Sequence, residues 1–356
     1  MTARAFSIDG RMIGPGHPPY IIAELSANHN GSLERAIKSI TAAKEAGADA
    51  VKIQSYSPDT ITLDHDGPDF RIKGGLWDGY RLYDLYAEAQ TPFDWHPMLF
   101  AHARDIGITL FSSPFDATAI DLLEGLNTPA YKIASFEAID LPLIARAAQT
   151  GKPLIISTGM ADDQEIAEAL ACARGAGATD VALLHCISGY PAPASQSNLA
   201  TIPDMAGRFD AVIGLSDHSL GTAVSVASIA LGASLIEKHF QLDDTEDGPD
   251  SAFSLTPDAL TQLCTDTRTA WEALGTASYE RNPAEEGNLQ FRRSLYFVRD
   301  IKAGETITEE HVRSIRPGFG LKPMHLSAII GQKARNTIQR GTPVSWDLIA
   351  QPALSA

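Results

Sequence analysis

The stretch Ala211–Phe240 reads AVIGLSDHSLGTAVSVASIALGASLIEKHF. Two short apolar runs, AVIGLSD and SLIEKHF, flank a segment of small and apolar residues that reads as a helix. A strand, a helix and a second strand in that order make the strands parallel, because parallel neighbours need a crossover connection. Each run closes on a histidine, His218 and His239, so two imidazoles arrive at the same end of neighbouring strands.

The same unit recurs upstream. YIIAEL, ADAVKIQ, ITLFSSP, AYKIAS, PLIISTG and VALLHC bring the number of such runs to eight. Between them lie SLERAIKSITAAKEAGA and DQEIAEALACARGAGA, with apolar residues at helical spacing and glycine near the end. Eight units fit an α/β (β/α)8 TIM barrel better than an open sheet, and no GxGxxG follows the first run. The second and third runs stand about twice as far apart as the rest, separated by PDTITLDHDGPDFRIKGGLWDGYRLYDLY. An insertion after a barrel strand emerges at the face where barrel active sites lie, so it is a candidate substrate loop. After Leu274 a polar segment leads into short β-like pieces with turns KAGE and QRGT, a small mainly β module with a modest apolar count. The expected organisation is a barrel with a short N-terminal extension over 1–275, a linker over 276–290 and the module over 291–356.

With 28 Lys and Arg against 44 Asp and Glu, the net charge is −16 and no basic run interrupts it. Nucleic acid and anionic membrane are therefore poor partners, and an anionic ligand must be held locally. Three cysteines without a CxxC pair give neither a disulfide framework nor a thiolate zinc site. With no signal-peptide segment and no membrane-length apolar run, the expected location is the cytoplasm.

The residues closing each strand converge on one cup in a barrel. They are Glu24, Asn28 and His29; Lys52 and Gln54; Ser112 and Ser113; Lys132, Ser135 and Glu137; Ser157 and Thr158; His185, Ser188 and Tyr190; Ser216, Asp217 and His218; and Glu237, Lys238 and His239. Lys52, Lys132, Ser113, Ser135, Ser157 and Ser216 supply point charges and hydroxyl donors suited to a phosphate, unless neighbouring acids neutralise the lysines. His218 and His239 suit a divalent metal, with Glu24 able to add a carboxylate; the alternative is a pair of core histidines satisfied by hydrogen bonds.

The segments AELSANHNGSLERA, GADAVKIQSY, FSSPFD, YKIAS, ISTGM, GLSDHSLG, EKHF with DGPDSAFS, and the C-terminal IRPGFGL and RGTPVSWD occur in that order. In that order they resemble the sialic acid synthase family, the phosphoenolpyruvate-dependent synthases of nine-carbon 2-keto sugar acids. The resemblance implies a barrel with a C-terminal antifreeze-like (SAF, β-clip) domain, and covers almost the whole chain. ELSANHN, IQSYSPDTITLD, GLWDGYRLYDLY and KIASFE resemble the pseudaminic acid branch, whose acceptor is 2,4-diacetamido-2,4,6-trideoxy-L-altrose. Neuraminate and legionaminate synthases, or a non-catalytic sugar-binding protein built on the SAF module, are the alternatives.

What the resemblance implies for the residues is specific. His218 and His239 would hold a divalent metal, Mn or Mg. Lys52, Ser113, Lys132, Ser135, Ser157, Ser188 and Ser216 would hold phosphoenolpyruvate. Glu24, Glu137, Tyr190 and Asp250 would orient or protonate the acetamido-sugar and the attacking water, with Asn28, Gln54 and Tyr56 among the substrate-binding positions. Arg316 would reach in from the SAF domain of a partner subunit in a domain-swapped homodimer. Glu137 is the first choice for activating water and Glu24 for the metal and sugar oxygen, with the reverse assignment open. Ser188 and Phe136 depart from the neuraminate synthase pattern, and a bulky apolar residue beside Ser135 would suit a deoxy sugar.

Overall fold

The computed structural model describes residues 4–243 and 248–350. The chain divides into two compact units, Met1–Gly275 and Thr276–Ala356, so the expected linker over 276–290 groups with the second.

In the first unit the eight apolar runs are eight parallel strands: β3 (Tyr20–Glu24), β4 (Ala50–Ser55), β5 (Thr109–Pro114), β6 (Tyr131–Ile133), β7 (Leu154–Ser157), β8 (Val181–Cys186), β9 (Val212–Asp217) and β10 (Leu235–His239). They follow one another round a closed barrel, and β10 pairs with β3 to close it. The intervening helices form where the 3.6-residue pattern and local caps agree. Leu33–Glu45 starts at Ser32, whose hydroxyl accepts from the Arg35 N–H, and Asp163–Gly175 starts in a capping box of Asp162 and Glu165.

Both faces of every barrel strand are buried. The outward residues pack with the helices in one large cluster that includes Ile21, Ala23, Val51, Ile53, Leu110 and Ile213. The inward residues form a second cluster: Tyr20 and Ile22, Ala50, Phe111, Ala130, Ile155, Ala182 and Leu184, Val212 and Leu235. Gly214 is inward too, because a Cβ there would sit 2.6 Å from both the Leu184 side chain and the Leu235 carbonyl oxygen. The N-terminal extension is a hairpin of β1 (Phe6–Ile8) and β2 (Arg11–Ile13), and Phe6, Ile8 and Ile13 join the inward cluster. The hairpin thereby stoppers the N-terminal end of the barrel.

The second unit has short strands, β11 (Ser294–Phe297) paired with β12 (Val312–Ile315) and β13 (Lys333–Ala334) with β14 (Ile349–Ala350). Despite the modest apolar count it has its own core, with Leu295, Phe297, Ile301, Ile307, Val312, Ile329, Ile338 and Val344 all buried.

Candidate active site

Continuing the inward phase toward the C-terminal ends of the strands replaces apolar side chains by Glu24, Lys52, Gln54, Ser113, Lys132, Ser157, Cys186, Ser216, Glu237 and His239. Ser112, His185, Asp217 and Lys238, which the sequence reading put in the same cup, fall on the other phase and face the helices. Ser112 hydrogen-bonds the Ser55 hydroxyl, itself bonded to His96, and His185 donates to the Ser197 carbonyl. Asp217 and Lys238 pair with each other at 2.8 Å. These four are satisfied structural polar groups.

The lysines are not free of carboxylates. Glu237, which the sequence places in the cup without a role, sits between them: Lys132 Nζ lies 2.9 Å and Lys52 Nζ 3.7 Å from Glu237 Oε1. Ser216 Oγ donates to the same oxygen at 3.2 Å. Lys52 also pairs with Glu24 at 2.8 Å and donates to Ser113 Oγ at 3.2 Å. Gln54 steadies Glu24 by donating to Oε1 at 3.0 Å, and donates to the Ser26 hydroxyl at 3.0 Å. Ser26 itself has φ 43°, an uncommon conformation for a side-chain-bearing residue, held at the rim of the site.

The two carboxylates differ electrostatically. Burial raises Glu24 above the ordinary carboxylate range despite Lys52. Burial pushes Glu237 up as well, but Lys132 and Lys52 outweigh it and hold its carboxylate ionised. Burial thus disfavours the charged form of Glu24, while Glu237 faces both lysine side chains, which stand ready to meet an incoming anion. Ser157 Oγ and Glu237 Oε2 are buried without a hydrogen-bond partner, which marks unfilled polar capacity here.

His218 and His239 do stand side by side, with ring centroids 5.3 Å apart. His218 Nδ1 donates to the Ile187 carbonyl at 3.0 Å, which in the neutral ring leaves the Nε2 lone pair for a ligand. Burial, reinforced by His218 and the nearby lysines, holds His239 well below the usual imidazole range and keeps its ring nitrogen available. Its Nδ1 is buried without a hydrogen-bond partner, 3.7 Å from Asp250 Oδ2. Among the described residues, no group of three or more His, Cys, Asp or Glu side chains makes a full metal cage. Two imidazoles side by side fit a divalent cation whose remaining positions are left to water and substrate oxygens.

Aromatic rings border the imidazoles. Tyr190 lies 4.4 Å from His218, and Phe253 lies 4.8 Å from His239 and 5.3 Å from Tyr190, between ring centroids. Trp77, from the long insertion after β4, packs at a tilt against Tyr190, 5.6 Å between ring centroids, and donates its indole N–H to the Pro249 carbonyl at 3.0 Å. The insertion therefore reaches this end of the barrel. Trp77 and Phe253 were not singled out in the sequence; the insertion's length was the signal for the first.

Ser135 and Glu137 share a 3-10 turn after β6. The Gly159 N–H donates to Ser135 Oγ at 3.2 Å, and a Cβ on Gly159 would collide with the Ser188 hydroxyl and stand 2.8 Å from that of Ser135. This glycine lets the chain after β7 come within contact of both hydroxyls. Burial pushes Glu137 up to about 7, more than Lys132 and Lys52 pull it down, and its Oε2 is buried without a hydrogen-bond partner. Phe136, by contrast, is 60% exposed.

The remaining expected residues divide. Tyr56 is buried, edge-on to Tyr86 and Phe115. Asn28 spends its amide donors on the Phe240 carbonyl at 2.9 Å and Ser254 Oγ at 2.8 Å, so it ties the ends of β3 and β10 to the following loop. Arg316, in the second unit, is exposed.

The NeuB family model matches residues 39–279 and the SAF domain model residues 292–350. Pseudaminic acid synthases from two strains of Campylobacter jejuni are each 46% identical over 322 residues, 90% of this chain and 94% of theirs. An N,N'-diacetyllegionaminic acid synthase from Campylobacter jejuni is 37% identical over 318 residues, 88% of this chain and 95% of its own. The crystal structure of N-acetylneuraminic acid (sialic acid) synthetase from Leptospira borgpetersenii superposes with a TM-score of 0.72 at 28% identity, covering 82% of this chain and 97% of that one.

Proposed function

Since the chain belongs to the NeuB family and carries a SAF domain, we propose that it catalyses the pseudaminic acid synthase reaction. Phosphoenolpyruvate, 2,4-diacetamido-2,4,6-trideoxy-L-altrose in its aldehyde form and water give pseudaminic acid and phosphate. The observation that carries this choice of branch is the 46% identity to pseudaminic acid synthases against 37% to a legionaminic acid synthase, both from Campylobacter jejuni.

The barrel residues divide the work. Lys52 and Lys132, with Ser113, Ser135, Ser157, Ser188 and Ser216, hold phosphoenolpyruvate by its phosphate and carboxylate. Glu237 pairs with both lysine side chains and aims them at the same point. A divalent cation, Mn or Mg, held by His218 and His239 supplies Lewis-acid polarisation of the aldehyde oxygen. Glu24, Gln54, Tyr56, Tyr190, Asp250 and, through the chain fold, Asn28 orient the sugar, and Glu24, whose charged form burial disfavours, is placed to give a proton to the aldehyde oxygen. As C3 of phosphoenolpyruvate bonds to the aldehyde carbon, water adds at C2 and gives a proton to Glu137. The C2–O bond to phosphate then breaks as the C2 hydroxyl becomes the keto group and passes its proton to the departing phosphate. Arg316 contributes a planar cation for a substrate carboxylate or amide oxygen from the SAF domain of the other subunit of a domain-swapped homodimer. The reaction belongs in the cytoplasm, where phosphoenolpyruvate is made; in keeping with a reducing compartment, all three cysteines are free.

A panel of acceptors tests the proposal. With phosphoenolpyruvate and Mn2+, phosphate release is expected to be fastest with 2,4-diacetamido-2,4,6-trideoxy-L-altrose. A faster rate with the corresponding mannose isomer would move the chain to the legionaminate branch, and one with N-acetylmannosamine to the neuraminate branch. No phosphate release with any of the three would remove the synthase reading altogether. Gly159→Ala is expected to raise KM for phosphoenolpyruvate about tenfold by displacing the Ser135 and Ser188 hydroxyls. Its melting temperature should stay within a few degrees of wild type, since short hydroxyl side chains can rotate away. An unchanged KM would show that neither hydroxyl touches the substrate.

A further inference from the structure

Asp217 and Lys238 have no part in the chemistry above, yet both are almost wholly buried, with side chains 2% and 0% exposed. They face the helices, not the lumen. They are direct neighbours in the β9–β10 register, one residue before His218 and His239 respectively. Their contacts fall on the chain around His218 and on the helix that follows it. Lys238 Nζ donates to Asp217 Oδ2 at 2.8 Å and to the Ser219 carbonyl at 2.6 Å, so one ammonium grips the residues on both sides of His218. Asp217 Oδ1 accepts from the Ser219 N–H at 2.8 Å, which turns the chain just after the imidazole. Ser225, on the following helix Ala223–Ala230, donates to Asp217 Oδ2 at 2.5 Å and fixes the carboxylate from behind.

A buried ion pair is a poor way to gain stability, because desolvation offsets most of the attraction and an apolar pair of the same size does as well or better. What the pair does provide is geometry. We propose that the Asp217–Lys238 ion pair is a positioning device that fixes the backbone of His218 relative to that of His239, and so presets the spacing of the two imidazoles for a divalent cation. The inference rests on the assignment of those imidazoles as metal ligands. It makes the pair the outer support of a site whose protein ligands, among the described residues, are two imidazoles.

The double variant Asp217→Asn/Lys238→Met removes both charges together, so that neither is left buried alone. Full-length protein stripped of metal by chelation is titrated with Mn2+, the free ion being followed by its electron paramagnetic resonance signal. Phosphoenolpyruvate binding to the same metal-free protein is measured by calorimetry. The Mn2+ Kd is expected to rise about tenfold or more, while the phosphoenolpyruvate Kd changes less than twofold. A folded double variant with wild-type Mn2+ affinity, or one that loses both affinities equally, overturns the proposal. If the double variant does not fold, Ser225→Ala decides the question: a rise of about threefold in the Mn2+ Kd supports the positioning role, and an unchanged Kd overturns it. His218→Ala and His239→Ala separate this inference from its premise. If they leave Mn2+ binding intact, the metal assignment falls and the positioning role with it. If they abolish binding but the double variant does not weaken it, the positioning role alone falls.

Discussion

Lys132→Met is expected to lower kcat/KM by about 10^3-fold and to destabilise the protein by about 3–5 kcal/mol. Two distinct causes underlie these numbers. The Lys132 side chain is 2% exposed and lies 2.9 Å from Glu237 Oε1, so removing the ammonium leaves a buried carboxylate with only Lys52 at 3.7 Å and the Ser216 hydroxyl. The stability loss comes from that stranded charge. The activity loss comes from the missing cation at the phosphate, which no other residue replaces. Adding Glu237→Gln separates the two: the double variant is expected to recover most of the stability in denaturant unfolding and none of the activity. If Glu237→Gln also restored turnover, Lys132 would be a structural counter-ion and not a phosphate ligand.

Glu137→Gln is expected to reduce kcat by about 10^2 to 10^4-fold and to erase one limb of the pH profile. Burial raises this carboxyl to about 7, so as a base for water it is half ionised there. In the wild type log kcat/KM should therefore climb with pH up to about 7 and level off above it; in the variant that limb should be absent. The linkage to stability runs the other way. The folded-state value lies above the ordinary 4.5, so the folded protein binds a proton more tightly than the unfolded chain, and stability falls as pH rises from about 4.5 through 7. The glutamine variant is thus expected to be more stable than wild type at pH 8 and no more stable at pH 4.5, a cost of keeping a base in a dry site. An unchanged profile would transfer water activation to Glu24. Incorporation of 18O from solvent into the product follows the same step directly.

Much of the molecule is legible in its sequence, and for identifiable reasons. Eight apolar runs of strand length alternating with helical periods leave a parallel barrel as the economical solution. The doubled interval after β4 marked an excursion at the active end, and Trp77 packs there on Tyr190. The second module was set apart by its turn chemistry, and its matching SAF model spans residues 292–350. The stopper role of Phe6, Ile8 and Ile13 was not legible, because three apolar residues beside a turn look alike wherever they pack.

Which polar residues share the lumen was legible only in part. In a half-exposed strand, alternation of polar and apolar residues reveals which side chains face inward. A barrel strand is apolar on both phases, since one face meets the lumen and the other the helices, and the alternation disappears. SDH and EKH each offer consecutive polar side chains, and nothing within those triplets says which faces in. Tertiary structure decides it: Ser216, His218, Glu237 and His239 line the site, while Asp217 and Lys238 bond behind it. It also brings Glu237 of β10 against Lys132 of β6, a contact made by barrel closure across 105 residues of chain. The sequence by itself determined the strands, their order and the inventory of chemical groups, because these depend on local periodicity. Phase, pairing and the proton affinities of Glu24, Glu237 and Glu137 were left to the closed barrel, because they depend on burial and on charges distant in sequence.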